Sequence, residues 1–190
     1  MLLAQLHLTL PAWVHEIADR ALYPDDGDKM GLAIALARRN VEARSGGPFG
    51  AAIFDDRGRL ISIGVNRVQA QNCSLAHAET MAFMLAQQRL QRPRLNIAAP
   101  GEAASHITLA TSAQPCVQCF GATLWAGIDR MLIGARGEDV ERLTDFDEGP
   151  LPEDWTGELA RRGIEVVRDL QREAACEVLR VYAERGGDAY

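Results

Sequence analysis

Two short stretches, His77-Ala78-Glu79 and Pro115-Cys116-Val117-Gln118-Cys119, constrain this chain more than anything else in it. One imidazole, two thiols and a carboxylate are the inventory of a hydrolytic zinc site, in which three protein groups hold the ion and water takes the fourth position. His77, Cys116 and Cys119 are the candidate ligands, and Glu79 is the carboxylate left to handle protons. The fold must therefore bring two distant segments to one point. Residues two apart on a regular helix point about 200° from each other, so His77 and Glu79 share a site only near a helix end. With Ser74 as N-cap, His77 falls in the first turn. Pro115 suits a first helical position, which puts Cys116 and Cys119 on one face of an opening turn. Free N–H groups and the positive helix end there favour thiolates. Two helix N-termini are expected to converge on one zinc ion.

Two other readings use the same residues. Cys73 precedes His77 closely enough to serve as a fourth ligand, which would make a closed structural staple with no room for water. A Cys-x-x-Cys pair also serves redox chemistry, but that reading leaves His77-Ala78-Glu79 unexplained.

At 190 residues the chain suits one domain that buries roughly 70% of its unfolded surface. Its net charge is −6 and its one lysine is Lys29, which argues against a nucleic-acid partner held by cationic contacts. No window approaches the ~18 apolar residues of a membrane span, and the start of the chain lacks the positive region of a signal peptide. A cytoplasmic protein without a membrane partner is expected. Cys73, Cys116, Cys119 and Cys176 are then thiols or ligands rather than disulfides.

Taken in order, Pro11 to Ala21 reads as a short amphipathic helix within an extension over residues 1–25. The remaining residues 26–190 form the main domain. A helix over about Asp28 to Arg44 carries Met30, Ile34, Ala37 and Val41 on one face. Strands are expected at Phe49 to Phe54 and Leu60 to Asn66, then a loop over Arg67 to Ser74 and a helix over Leu75 to Gln91. Arg92 to Ser105 reads as a surface connection and His106 to Ala110 as a short strand. Next come a helix over Pro115 to Gly127, a strand over Arg130 to Ala135, an acidic loop, a strand over Ile164 to Asp169 and a helix over Gln171 to Arg185. Alternating helices and strands predict an α/β fold, layered helix–sheet–helix around a mixed sheet of about five strands.

Further segments accompany the metal stretches: Gly46-Gly47-Pro48-Phe49-Gly50-Ala51, Gly64-Val65-Asn66-Arg67, Phe120-Gly121-Ala122, Leu124-Trp125-Ala126 and Phe146-Asp147-Glu148-Gly149-Pro150. With His-x-Glu and Pro-Cys-x-x-Cys, they resemble the cytidine-deaminase superfamily, and within it the bacterial guanine deaminases, over roughly residues 30–190. The resemblance implies that fold, one zinc per subunit on His77, Cys116 and Cys119, and Glu79 as proton shuttle. It implies a small purine base as substrate, bound by Asn66, Phe49, Ala78 and Trp125 and read by Glu148, which is expected to be catalytic as well by helping to protonate the departing amine. It also implies a homodimer whose C-terminal segments exchange, so that Tyr190 closes the partner's site. Three features depart from the pattern. Gln114 stands where the family usually has Glu, Glu148 stands where relatives also use Asp, and the first ~25 residues have no clear counterpart.

The residues support the guanine reading on chemical grounds. Guanine presents N1–H and a 2-amino group side by side, and one carboxylate accepts from both. Residues 137–158 hold nine acidic residues against Arg142 alone, so such a carboxylate is available there. Blander readings stand beside these. Charge runs are usually solvated faces, Trp125 and Phe49 could be core, Asn66 an ordinary turn residue and Tyr190 a frayed end. Cys176 reads as a buried thiol, and His7, His15 and His106 as structural or exposed. The rival functions are deamination of cytosine or an aminotriazine, editing of tRNA adenosine, and a non-catalytic zinc module stapled by Cys73.

Overall fold

Asp25 starts the first long helix: its carboxylate accepts the Asp28 N–H at 2.7 Å, satisfying an amide that the helix leaves unpaired. The computed structural model describes residues 4–98, 100–101 and 105–189. In chain order the elements are α1 (Val14–Ile17), α2 (Asp26–Glu42), β1 (Gly50–Phe54), β2 (Leu60–Val65), α3 (Val68–Gln71), α4 (Ala78–Leu90), β3 (Thr108–Ala113) and α5 (Val117–Ala126). They continue with β4 (Arg130–Ala135), α6 (Gly137–Leu143), α7 (Trp155–Ala160), β5 (Glu165–Val167) and α8 (Arg172–Glu184).

The strands form one mixed sheet in the order β2-β1-β3-β4-β5. β1 pairs antiparallel with β2 and β3, whereas β3–β4 and β4–β5 are parallel. Successive side chains leave a strand on opposite faces, and here both faces are apolar. Ala52, Phe54 and Leu132 pack on one side with Met30, Ala33 and Ala37 of α2 and Val178 and Leu179 of α8. Ala51, Ile53, Met131 and Ile133 pack on the other with Ala82, Phe83 and Ala86 of α4 and Phe120 and Ala126 of α5. Each large side chain so buried contributes about 1.5–3 kcal/mol. The result is the helix–sheet–helix layering expected from the alternation of elements.

Gly64 sets how closely α4 lies on the sheet. A Cβ there would stand 1.9 Å from the Ala78 carbonyl oxygen, so only glycine lets the start of α4 settle onto β2. That contact carries His77 and Glu79 to the sheet.

Several sequence-based expectations are corrected. The Arg67 to Ser74 loop contains α3, and residues 92–105 are not all surface, because Leu95 is fully buried and its N–H donates to the Ala126 carbonyl. β3 runs beyond Ala110 to Ala113. Thr111 and Ser112, within this longer strand, are buried with their hydroxyls engaged, Ser112 accepting from the Gly50 N–H at 3.1 Å. The acidic stretch 137–158 holds α6 and α7, hidden from periodicity because α6 turns few apolar residues inward. The opening extension packs on the core: Val14 is buried, and Leu10, Trp13 and Ile17 lie on the α2–α8 side.

Candidate active site

α4 and α5 begin side by side, and each is capped by a residue of the metal motif. His77 is the N-cap of α4 and Cys116 the N-cap of α5, both with extended backbone and neither spending its side chain on a cap bond. This corrects two expectations: Ser74 is not the cap of α4, and Pro115 stands one place before the N-cap of α5. The consequence favours ligation, since both side chains remain available at a positive helix end.

Sulfur at ~2.3 Å and nitrogen at ~2.0 Å from a tetrahedral zinc stand about 3.6 Å apart. Cys116 Sγ and His77 Nδ1 are 3.5 Å apart, and donor atoms of His77, Cys116 and Cys119 all lie within 4.8 Å of one another. No other three such side chains gather in this way among the described residues. The Cys119 S–H donating to Cys116, helped by the His77 hydrogen bond against the opposing effect of burial, lowers the Cys116 thiol to about 4. Cys119, the donor and more deeply buried, is raised well above an ordinary thiol. Burial works to lower His77, but the Cys116 hydrogen bond and the nearby Glu79 and Cys116 charges raise it overall. An imidazole, a thiolate and a thiol at these separations fit a zinc ion, and binding one releases the Cys119 proton. Cys73 is half-buried and outside this cluster, so no fourth His, Cys, Asp or Glu joins it among the described residues.

Glu79 sits beneath the ligands, 6% exposed. Its Oε2 accepts from Cys119 Sγ at 3.3 Å, and its Oε1 lies 3.2 Å from Thr111 Oγ1. Burial, then the charge of Cys116, raises its carboxyl above the usual range. Thr111 was not anticipated as a partner; a hydroxyl in a strand has no sequence signature of this kind.

Above these groups opens a cavity of about 430 Å³ lined by Phe49, Asn66, Ala78, Gln114, Phe146 and Glu148, among others. Asn66 is 1% exposed, and its Oδ1 accepts the Val68 N–H at 3.2 Å, which leaves Nδ2 as a free donor. Phe49 packs edge-on against Phe146, and Phe146 stacks on Tyr182. Phe146 thereby anchors its loop, a role that acidic composition alone concealed.

Glu148 follows on that loop, 8% exposed and with no hydrogen-bond partner for its carboxyl among the described residues. The Val117 N–H at the start of α5 donates to its backbone carbonyl at 2.9 Å. Gly149 then turns the chain at φ 70°, where a Cβ would meet Val117 Cγ1 at 2.5 Å. Burial, with the negative charges of Cys116 and Glu79 next, pushes the Glu148 carboxyl up to about 8. Asp147 also borders the cavity but is exposed, its Oδ1 accepting the Gly149 N–H.

Trp125 does not border this cavity. It is 79% exposed, because α5 buries Cys119, Phe120, Thr123 and Ala126, and residue 125 falls about 200° from the centre of that arc. Tyr190 lies outside the described residues.

The sequence profile of the cytidine and deoxycytidylate deaminase zinc-binding region matches residues 24–135. A solved guanine deaminase from Nitrosomonas europaea is 41% identical, with a TM-score of 0.88 over 97% of this chain and 99% of that one. Most of the first 25 residues therefore do have a counterpart. Guanine deaminase of Bacillus subtilis is 39% identical over 116 residues, which are 61% of this chain and 67% of that one. A tRNA-specific adenosine deaminase of Agrobacterium fabrum is 34% identical over 145 residues, 70% of this chain and 89% of that one. With that profile spanning more than half of its length and the metal cluster assembled as described, the chain belongs to the cytidine and deoxycytidylate deaminase family.

Proposed function

We propose that the protein is a zinc-dependent aminohydrolase that converts guanine and water to xanthine and ammonia. The observation that carries the choice of guanine is Glu148, a buried carboxyl on the cavity wall without a partner of its own. A base that brings two adjacent donors, N1–H and the 2-amino group, satisfies both of its oxygens at once and so favours the ionised form that burial alone disfavours. Cytosine has no such pair. The resemblance to the two guanine deaminases supports the same choice.

His77, Cys116 and Cys119 would hold one zinc per chain. When bound, zinc acts as a Lewis acid that brings the pKa of water toward ~7. Glu79 takes the proton of the water that attacks C2 and delivers it to N3, and burial, which raises its pKa, makes it a better proton acceptor than an exposed carboxylate. Asn66 Nδ2 donates to the acceptors of the base, Phe49 and Ala78 hold its face, and Glu148 orients the 2-amino group and passes to it the remaining hydroxyl proton at C2, so that the C2–N bond breaks, C2=O forms and ammonia leaves. The buried walls keep bulk water from competing for these bonds.

Exposed apolar side chains on the α4–α5 side, Leu75, Val117 and Trp125, support a homodimer formed through that face. Exchange of C-terminal segments, with Tyr190 closing the partner's site, rests on the family resemblance. No helix among the described residues is long and apolar enough to cross a membrane, and with the cysteines read as ligands or thiols we place the enzyme in the cytoplasm, in purine catabolism. The Agrobacterium relative favours editing of tRNA as a second reading. The net charge of −6 and a buried acid in the pocket oppose it. Ammonia release from guanine, cytosine, adenine, their nucleosides and aminotriazines, measured on metal-quantified protein, decides the matter. Guanine should exceed every other substrate in kcat/KM; preference for cytosine or for an adenosine in RNA contradicts the proposal.

A further inference from the structure

Asn66 is held by groups that never reach the cavity. Asn40, near the end of α2, is fully buried, and its Nδ2 donates to two carbonyls, Gly47 at 2.8 Å and Asn66 at 2.9 Å. No other donor reaches the Asn66 carbonyl among the described residues. The Asn40 Oδ1 accepts from Ser45 Oγ at 2.7 Å, and that oxygen accepts from Trp13 Nε1 at 3.2 Å. A second strand of contacts closes the set. Arg67, next to Asn66, donates through Nη1 to the Ser45 carbonyl and through Nε to the Thr9 carbonyl at 3.2 Å. Each donor meets an acceptor, which fixes the amide of Asn40 in one orientation. Thr9 and Trp13 belong to the opening segment, so a stretch remote from the zinc cluster is tied to the Arg67 side chain directly and to the Asn66 carbonyl through Ser45 and Asn40.

A buried amide at position 40 is poorly explained by packing alone, because an apolar residue would fill the space. What it supplies is a donor for two loop carbonyls, and through them a fixed peptide plane for Asn66. Together with the Val68 N–H on its Oδ1, this aims the Asn66 Nδ2 into the cavity. We infer that Asn40, with Trp13 and Arg67, is a positioning network through which the N-terminal segment fixes Asn66 for the purine base. The inference rests on the proposed role of Asn66 in binding guanine.

The test uses full-length, zinc-loaded protein with Trp13→Phe, which removes only the indole N–H, and Asn40→Asp, which keeps the shape but replaces the donor by an acceptor. Loss of about one neutral hydrogen bond of positioning corresponds to about a fivefold rise in KM for guanine. We expect about threefold for Trp13→Phe and about tenfold for Asn40→Asp, with kcat changed less than about twofold and zinc content unchanged. In an Asn66→Ala background the same substitutions should leave KM where it is, because they act through the missing side chain. Equal factors in both backgrounds overturn the inference, as does a loss confined to the fraction of folded protein. Should Asn40→Asp not fold, the Trp13→Phe pair carries the same comparison. If the wild-type protein releases no ammonia from guanine, the functional reading fails by itself, and amide hydrogen exchange then decides the network. The Val68 N–H should exchange about tenfold faster in Trp13→Phe while the β1 and β3 amides stay as they were. Unchanged exchange at Val68 overturns the inference.

Discussion

At the scale of single residues, the account separates the groups that hold metal from the groups that move protons or read the base. Glu79 touches the ligand Cys119 but is not needed to complete the donor set. Glu79→Ala is therefore expected to retain zinc, measured by metal analysis, and to lose at least about 10³-fold in kcat, at the upper part of what a positioned acid–base group supplies. Cys73→Ser should change neither zinc content nor turnover; loss of zinc in that variant would favour the closed staple. Glu148 gives a prediction with a defined sign. Its folded-state carboxyl titrates near about 8, whereas an unfolded glutamate titrates near ~4.3. The folded chain thus holds a proton that the unfolded chain has released, so this group costs stability progressively as pH rises from about 4.5 to about 8. Glu148→Gln, neutral throughout, should raise Tm at pH 8 but not at pH 4 in thermal melts of the metal-free protein, while guanine kcat/KM of the zinc-loaded protein falls by about 10²-fold or more as the bidentate acceptor is lost. A Tm difference of equal size at both pH values would contradict the assignment of buried charge.

At the scale of elements, the site depends on how two helix starts are seated. Gly64 is the seat of α4, and Gly64→Val would drive a side chain into the Ala78 carbonyl. We expect a Tm lower by several degrees and weaker zinc retention under competition with a chelator, since His77 moves with the helix start. Most elements were legible because their burial follows a simple period: Met30, Ile34, Ala37 and Val41 mark α2, and the strands alternate between two apolar faces. Helix caps were less legible. Ser74 has a better capping side chain than His77, but the requirement to free an imidazole at the helix end outweighed local preference. The helices inside the acidic stretch escaped notice because charge, not apolar spacing, dominates them. The start of α6 is instead fixed by Asp139, whose buried carboxylate accepts the Arg136 N–H at 3.0 Å and pairs with Arg172 and Arg142. The misplacement of Trp125 has a related cause: spacing identifies an apolar residue but not what lies beyond the face that carries it.

At the scale of the whole molecule, the chemistry and the choice of substrate come from different parts of the chain. The metal cluster joins α4 to α5 under one side of the sheet, whereas Glu148 comes from the loop after α6 and Asn66 from the end of β2. Its exposed indole makes Trp125 the natural probe of assembly: Trp125→Glu should shift a homodimer toward monomer in sedimentation velocity, and an unchanged distribution would place the interface elsewhere. The motif residues were readable because zinc imposes fixed ligand types. Glu148 and Asn66 were singled out by resemblance and by the donor pattern of guanine rather than by spacing, since the burial that their proposed roles require is a property of the folded chain. The most direct measurement of the central claim is xanthine formation from guanine by the wild-type protein and by Glu79→Ala, each with its zinc content determined on the same sample. The account predicts equal zinc, turnover by the wild type and near-complete loss in the variant. Equal turnover by the two proteins, or no xanthine from zinc-loaded wild type, would contradict it.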